Sequence, residues 1–197
     1  MQNDDVNTGR RNFLTVATSV VGAAGAVGIA VPFIGSWTPS AKAKAAGAPV
    51  KVDVSKLEKG AMVVAEWRGK PVYIVRRTAE QLASLPAMTD KLADPDSLRP
   101  QQPAYINGDA RALNPEYLIV VGLCTHLGCA PKHRPELGAA DLGGDWMGGF
   151  FCPCHGSKFD LSGRVYKGVP APSNLLVPPY RFESDSVVVI GEDSEVA

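Results

Sequence analysis

The sequence predicts a mainly β protein: an antiparallel β domain with long loops, preceded by one transmembrane helix and a flexible linker. Three observations lead to this prediction. An uncharged apolar run near the N-terminus is long enough for a membrane helix. Beyond it, short segments alternate apolar and polar residues with the period of two that is typical of half-buried strands. Finally, 20 Gly and 16 Pro among 197 residues exceed average usage and favour a loop-rich β domain over a helical bundle.

The charge balance of the chain argues against one class of partner. Lys and Arg number 20, Asp and Glu also number 20, and the formal net charge is zero. A zero balance gives no general attraction to the phosphates of a nucleic acid. We therefore expect no nucleic-acid partner, and the length favours one modest domain with additional segments.

The N-terminus combines an export signal with a candidate membrane anchor. The pair Arg10-Arg11 before an apolar run resembles a twin-arginine export signal. The run Phe13–Ile34 has 22 residues without a charge. A helix of that length is about 33 Å long, enough to cross a hydrocarbon core of about 30 Å. Because the two arginines precede the helix, the N-terminus is expected to stay in the cytoplasm.

The same run can also be interpreted as a signal peptide that is removed after export. Ala41-Lys42-Ala43 and Ala43-Lys44-Ala45 have the A-x-A pattern of cleavage sites. The apolar part of such a signal is typically about 7–15 residues long, which is shorter than this run. We therefore predict an anchor that is retained, in a single pass through a bacterial inner membrane, with the rest of the chain in the periplasm.

A linker is predicted between the helix and the β domain. The segment Gly35–Pro49 has many small residues, two Pro and no apolar periodicity. Trp37 within it is typical of a membrane interface. The predicted organisation is a cytoplasmic N-terminus over 1–12, a transmembrane helix over 13–35, a hinge linker over 36–49 and a β domain over 50–197.

Strands make up most of the predicted β domain. The first lies at 50–54, where Val alternates with Lys and Asp. The others are Met62–Glu66, Pro71–Arg76, Tyr117–Leu123, Gly149–Cys152, Tyr180–Glu183 and Ser186–Ile190. A short helix is predicted over Thr78–Leu85, because Thr78 and Gln81 have the spacing of a capping box. The glycines around Asp145-Trp146-Met147 predict a flexible insertion.

All four Cys and two of the three His lie in two short loops. These loops are Cys124-Thr125-His126-Leu127-Gly128-Cys129 and Cys152-Pro153-Cys154-His155-Gly156-Ser157. Such clustering indicates a site rather than a scaffold of scattered disulfides. Thiolates suit iron–sulfur clusters, and imidazole is a neutral ligand that can lose a proton. When two imidazoles replace two thiolates on one iron, the reduction potential rises to roughly −150 to +300 mV, against about −400 mV for plant-type ferredoxins.

The paired loops resemble those of the Rieske iron–sulfur subunit of quinol–cytochrome c reductase, the cytochrome bc-type respiratory complex. The resemblance extends over nearly the whole chain and includes the Pro-rich segment Gly168–Pro172. It implies a Rieske-type β head that binds one 2Fe–2S cluster. It further implies that Cys124 and Cys152 bind the inner iron and that His126 and His155 bind the outer iron.

The resemblance also implies a disulfide between Cys129 and Cys154 that joins the two loops. The exported location predicted above permits oxidation. A closed loop of about 26 residues would contribute roughly 3 kcal/mol through the entropy of the unfolded chain. Rieske ferredoxins of oxygenase systems lack this pair, so it favours the quinol-oxidising class.

A structural zinc site is the alternative interpretation of the loops. Zinc ligand pairs usually have about two to four intervening residues, and the C-x-H, C-x-x-H and C-x-C spacings fit that pattern poorly. Four cysteines that form only disulfides would leave both histidines of the loops unexplained. The third histidine, His133, lies in a Lys/Arg/Pro stretch and is predicted to be a surface residue rather than a ligand.

Residues beside the ligands are expected to tune their chemistry. The Ser157 hydroxyl can donate a hydrogen bond to a cluster sulfide. The family commonly has Tyr two residues later, whereas this chain has Phe159, and a lower reduction potential is predicted. Leu127 is expected to shield the cluster at a docking face, although an ordinary core leucine is the alternative. His155 is expected to take the proton of a quinol when the cluster takes its electron, and His126 would titrate likewise.

The resemblance implies the electron-transfer subunit of a bacterial quinol–cytochrome c reductase, a proton-translocating respiratory oxidoreductase. The head would accept an electron from quinol and pass it to a c-type cytochrome subunit by moving on its linker. The expected partners are quinol, the membrane, a cytochrome b subunit and the c-type cytochrome subunit, within a dimeric complex. One alternative is the Rieske subunit of another exported oxidoreductase, such as an arsenite oxidase. Another is a membrane-tethered electron-transfer or zinc-binding module without a quinol site.

Overall fold

The computed structural model describes residues 7–193, which divide into one unit up to Ala45 and a second unit from Ala46. Helix α1 (Thr8–Ser36) has 29 residues, contains Pro32 and has a mean hydropathy of 1.9 in its most apolar window. By length and composition it can cross a membrane. It begins earlier than predicted because the Asn7 side chain accepts a hydrogen bond from Arg10 N at 3.0 Å.

A second helix, α2 (Ala41–Ala46), lies inside the segment that was predicted to be a linker. The Ser40 hydroxyl accepts a hydrogen bond from Ala43 N at 3.1 Å and so caps this helix. The prediction rested on the lack of apolar periodicity, which a run of Ala and Lys does not show although both residues favour helix. The role of residues 36–49 as a hinge stays a prediction.

The second unit contains three antiparallel sheets of three strands each, as the mainly β prediction requires. The strands are β1 (Val50–Asp53), β2 (Met62–Trp67), β3 (Lys70–Arg76), β4 (Tyr117–Val121), β5 (Lys132–Leu137), β6 (Met147–Phe151), β7 (Lys158–Phe159), β8 (Tyr180–Ser184) and β9 (Val187–Ile190). Their orders within the sheets are β1-β9-β8, β2-β3-β4 and β5-β6-β7. Strands β5 and β7 were not predicted from the sequence.

Local signals in the sequence explain the elements between β2 and β4. The β2–β3 hairpin turns at Arg68 and Gly69, whose φ angles of 52° and 69° are those of a tight hairpin turn. Helix α3 (Ala79–Ser84) begins with the predicted capping box, in which Thr78 and Gln81 exchange side-chain and backbone hydrogen bonds. A 3₁₀ helix (Pro86–Lys91) follows it.

The hydrophobic core extends from β3 and β4 to the two Cys-containing loops. Every residue of β4 is buried, and the buried core cluster includes Cys124 and Cys152. Gly122 lies between β4 and the first loop, and a Cβ atom there would lie 2.3 Å from the ring of Tyr73. Only glycine lets the chain pass so close to this ring, so the core determines where the first loop begins.

The segment between the loops is packed and is not the flexible insertion predicted from its glycines. Strands β5 and β6 form a hairpin there. A Cβ atom on Gly149 would lie 2.0 Å from the carbonyl oxygen of Phe159, so glycine is required where β7 approaches. Trp146 is buried and stacks on Tyr166 with ring centroids 5.9 Å apart. Gly148 and Gly149 therefore serve close packing.

His133 also differs from the prediction of a surface residue. Strand β5 places its ring against Phe150, with centroids 5.5 Å apart. Its Nε2 atom is buried and has no hydrogen-bond partner among the described residues. Burial lowers the pKa of this imidazole below its usual value, so the neutral form is favoured. A Lys/Arg/Pro neighbourhood did not reveal this, because burial here follows from the pairing of β5 with β6.

Candidate metal centre

The loops 124–129 and 152–157 are built by the same backbone hydrogen bonds. In each, the first residue donates its N–H to the carbonyl of the sixth, and the fifth donates to the carbonyl of the first. These bonds measure 2.7 and 2.8 Å in the first loop and 2.8 and 2.9 Å in the second. The fifth residues, Gly128 and Gly156, have φ angles of 79° and 75°, which glycine adopts without strain. The two loops thus hold their Cys and His on the same pattern of backbone hydrogen bonds.

A disulfide between Cys129 and Cys154 joins the two loops, as predicted. The loops follow β4 and β6, and the Cα atoms of the pair are 6.6 Å apart. The sulfur of Cys152 lies within 4.8 Å of both disulfide sulfurs. Because bonded sulfurs are not thiolates, the disulfide cysteines offer no ligand beside Cys152.

The structure brings the four predicted ligands together at the loop tips. Cys124 and Cys152 are free thiols with only 3% and 1% of their surfaces exposed, and Cys152 lies close enough to Cys124 to raise the pKa of its thiol. The imidazole rings of His126 and His155 face each other edge to face, with centroids 4.7 Å apart. His155 is exposed and His126 is partly buried. The thiols therefore form the inner side of the site, and the imidazoles form its outer side.

The environment of the thiols fits a bound cation. Burial raises the pKa of the Cys124 thiol, and the Cys152 thiol acts in the same direction, while the His126 backbone N–H and the Ser157 hydroxyl lower it. Two buried thiolates would need a compensating positive charge. The Nδ1 atom of His126 is buried and has no hydrogen-bond partner among the described residues. A metal ion would satisfy both requirements, so the residues present fit a metal centre with two thiolates and two imidazoles.

The Pro-rich segment is hydrogen bonded to both loops. The N–H of Ala171 donates to the Ser157 hydroxyl oxygen at 3.0 Å, and both groups are buried. The Thr125 hydroxyl donates to the carbonyl of Ser173 at 2.6 Å. Thr125 was not singled out in the sequence, where a hydroxyl between two ligands carries no distinctive signal. These two bonds hold residues 168–173 against the metal centre.

Leu127 and Phe159 have opposite surroundings. Leu127 exposes 72% of its surface at the tip of the first loop, so the alternative of an ordinary core leucine is wrong. Phe159 is fully buried in β7, where it pairs with Phe150. An exposed apolar side chain beside a predicted ligand suits a docking face.

A buried polar network lies in the turn after the second loop. The Asp160 carboxylate accepts hydrogen bonds from Ser162 N at 2.9 Å and Arg164 N at 2.8 Å, and it pairs with the Arg164 side chain at 2.7 Å. Arg77 and Arg111 are buried nearby and donate to the Ser162 side chain and carbonyl. Burial lowers the pKa of both guanidinium groups to about 10. Scattered charges gave no indication of this network in the sequence.

Comparisons with known families match both parts of the chain. The family described as Rieske [2Fe-2S] domain matches residues 48–181. The family described as Ubiquitinol-cytochrome C reductase Fe-S subunit TAT signal matches residues 1–40.

Similar proteins match the chain over nearly its full length. The ubiquinol-cytochrome c reductase iron-sulfur subunit of Allochromatium vinosum is 55% identical and covers 98% of this chain and 93% of its own. The corresponding subunit of Blastochloris viridis is 46% identical, and the match covers 95% of this chain and 96% of that protein. A solved chain from a structure described as hyperthermophilic respiratory Complex III is 25% identical, covers 88% and 98%, and has a TM-score of 0.47.

Proposed function

Because this chain belongs to the family of Rieske iron–sulfur subunits of ubiquinol–cytochrome c reductase, we propose that its two loop tips hold the 2Fe–2S cluster. The proposed ligands are Cys124, His126, Cys152 and His155. The observation that carries the proposal is that a disulfide joins the two loops, the two thiols are buried beside each other and the two imidazoles face each other. The burial of the thiols supports their assignment to the inner iron, and the exposure of His155 supports that of the imidazoles to the outer iron.

The subunit acts in electron transfer within an oxidoreductase. When bound, the cluster supplies one-electron chemistry, the transfer of an electron from quinol to a c-type cytochrome. The protein keeps water from the thiols by burying both of them. It also orients the Ser157 hydroxyl beside Cys124, where this donor lowers the thiol pKa and so favours the thiolate that binds iron.

His155 is the residue proposed to meet the quinol. Its imidazole is exposed, whereas His126 is partly buried and its Nδ1 atom faces inward. An exposed imidazole can accept a hydrogen bond from a quinol hydroxyl and then take its proton. The exposed Leu127 lies beside His126 and offers an apolar contact to the surface against which this tip docks.

The remaining partners and the orientation belong to the same proposal. Helix α1 is proposed as a single-pass anchor in the inner membrane, with the head in the periplasm, which the twin-arginine family match supports. The head is proposed to work beside a cytochrome b subunit and a c-type cytochrome subunit, within a dimeric complex. The relatives that match both the anchor and the head are subunits of ubiquinol-cytochrome c reductase. This favours the proposed assignment over a subunit of another exported oxidoreductase.

Purification of the full chain from detergent-extracted membranes tests the proposal. We expect two iron and two acid-labile sulfide per chain, an electron paramagnetic resonance (EPR) signal after reduction, and copurification with a b-type cytochrome. Stoichiometric zinc without sulfide would contradict the cluster. A full cluster on a chain that never copurifies with cytochrome b, and whose head is released from α1, would contradict the quinol reductase and favour another exported oxidoreductase.

The substitution Phe159→Tyr is expected to raise the reduction potential. A tyrosine hydroxyl at this position can donate to a ligand sulfur and stabilise the added negative charge of the reduced state. A differential stabilisation of about 1 kcal/mol corresponds to a rise of about 40 mV for a one-electron couple. The midpoint is measured by EPR-monitored redox titration. Phe182→Tyr, in β8 on another sheet, is the control; an unchanged midpoint in the Phe159 variant would refute the role of the missing hydroxyl.

A further inference from the structure

The Ser157 hydroxyl has a defined direction because one of its lone pairs is occupied. A serine hydroxyl carries one proton and two acceptor lone pairs, and its proton rotates to suit its surroundings. The buried N–H of Ala171 donates to this oxygen at 3.0 Å. The hydroxyl proton must therefore point away from Ala171, and Ser157 lies close enough to Cys124 to lower the pKa of its thiol. The direction of the Ser157 proton thus depends on where Ala171 is held.

Asn174 lies two residues beyond the Pro-rich segment, which contains Ala171. Its side chain is fully buried and makes three hydrogen bonds. The Oδ1 atom accepts from Val165 N at 2.8 Å, and Nδ2 donates to Asp94 O at 2.9 Å and to Ser97 Oγ at 3.0 Å. One side chain therefore joins the Pro-rich segment to two other parts of the chain.

The turn that receives Asn174 is itself well anchored. The buried Asp94 carboxylate accepts hydrogen bonds from Leu98 N at 2.9 Å and Arg99 N at 3.3 Å. The Arg99 side chain reaches back and donates to the carbonyl of Pro172, next to Ala171. The turn 94–99 thus contacts Pro172, at the end of the Pro-rich segment, and Asn174, two residues beyond it.

We propose that Asn174 is a positioning residue for the Ser157 hydroxyl. By fixing the Pro-rich segment on the turn 94–99, it holds the Ala171 N–H against Ser157 and keeps the hydroxyl proton directed at the sulfur side of the metal centre. The inference rests on the proposed function, because the cluster is the group whose charge this proton stabilises. The hydrogen bonds of the Asn174 side chain go to Val165, Asp94 and Ser97 and not to a proposed ligand, so its effect is indirect. The Thr125–Ser173 bond holds the same stretch of chain to the first loop, and the Ser157→Ala background separates that route from the one through Ser157.

A double-mutant cycle on the cluster-loaded full chain tests this proposal. Asn174→Ala is expected to decrease the equilibrium constant for reduction about threefold to tenfold, where tenfold corresponds to about 59 mV for one electron. The shift should have the same sign as that of Ser157→Ala and should not exceed it. In the Ser157→Ala background, Asn174→Ala should produce no further shift. Equal shifts in both backgrounds, or no shift in either, would overturn the proposal.

Two readouts separate positioning from a merely structural role. Hydrogen exchange by mass spectrometry should become faster in peptides covering 168–174 when Asn174 is replaced. The matched control is Asn114→Ala, because Asn114 also accepts a backbone N–H in a turn, from Glu116 at 3.0 Å, outside the metal loops. This control should leave both the midpoint and the exchange of 168–174 unchanged; a midpoint shift as large as that of Asn174→Ala would overturn the inference.

Milder variants keep the test decisive if Asn174→Ala does not fold. Ser97→Ala removes one acceptor of the Asn174 amide, and Arg99→Ala removes the contact with Pro172. Together they should speed exchange over 168–174 and lower the midpoint only when Ser157 is present. Faster exchange with an unchanged midpoint would overturn the inference. A wild-type chain without a 2Fe–2S EPR signal would instead refute the proposed function, so the two failures are distinguishable.

Discussion

Replacing His126 or His155 by glutamine is expected to abolish the 2Fe–2S cluster, whereas the same substitution at His133 leaves it in place. Glutamine has neither the ring nor the imidazole nitrogen that binds iron, and either change would leave the outer iron with one protein ligand. Iron content should fall below about one tenth of the wild-type value, and the EPR signal should disappear. Iron and acid-labile sulfide analysis on purified protein measures both losses.

His133→Gln is the matched control for this prediction. His133 is also a partly buried imidazole, and its Nε2 atom lacks a hydrogen-bond partner among the residues described, as does Nδ1 of His126. It packs on Phe150 instead of facing a second imidazole. Full iron in either loop variant would contradict the proposed ligand set. Loss of iron from His133→Gln, with the fold intact by circular dichroism, would show that the ligand assignment is incomplete.

The parts of the site that the sequence predicted are those in which chemistry dictates residue type. Thiolates and imidazoles are the ligands that a Rieske cluster needs, so Cys124 and His155 could be proposed as ligands without a structure. The disulfide followed from resemblance, and the structure contains it. The capping box at Thr78 was also predictable, because both partners lie within four residues of each other. Features that depend on local geometry or on the chemistry of ligands can therefore be predicted from the sequence.

The parts that the sequence did not predict depend on contacts between distant segments. Strand β5 contains Pro and charged residues, and its pairing with β6 outweighs its weak strand propensity. The glycine at 149 was interpreted as flexible, although the approach of Phe159 requires it. Asn174 carries no signal of its own, because its three partners lie 9 to 80 residues away along the chain. Such roles arise only when the fold brings the segments together.

The substitution Asp160→Asn is expected to cause the largest loss of stability that does not involve a ligand. The carboxylate and the Arg164 guanidinium are 1% and 0% exposed, so this ion pair is fully desolvated. Asparagine would turn an amide donor or a single neutral oxygen toward Arg164. The buried positive charge of Arg164, close to Arg77 and Arg111, would then have only the half-exposed Asp109 as a carboxylate partner among the described residues. Breaking a buried pair in this way costs about 3–5 kcal/mol. For a protein of this size the melting temperature should fall by roughly 6–20 °C.

Three further variants test whether the loss comes from the buried charge of Arg164. The double variant Asp160→Asn/Arg164→Met should lose less stability than the sum of the two single variants. It also removes the buried charge of Arg164, whose buried partner is lost in Asp160→Asn. Glu183→Gln breaks the exposed pair with Lys51 and should leave the melting temperature unchanged. Thermal unfolding followed by circular dichroism compares the wild type with the four variants, and additive losses would contradict the argument. Since Asp160 lies three residues after Ser157, the same loosening should also speed the loss of iron from the metal centre.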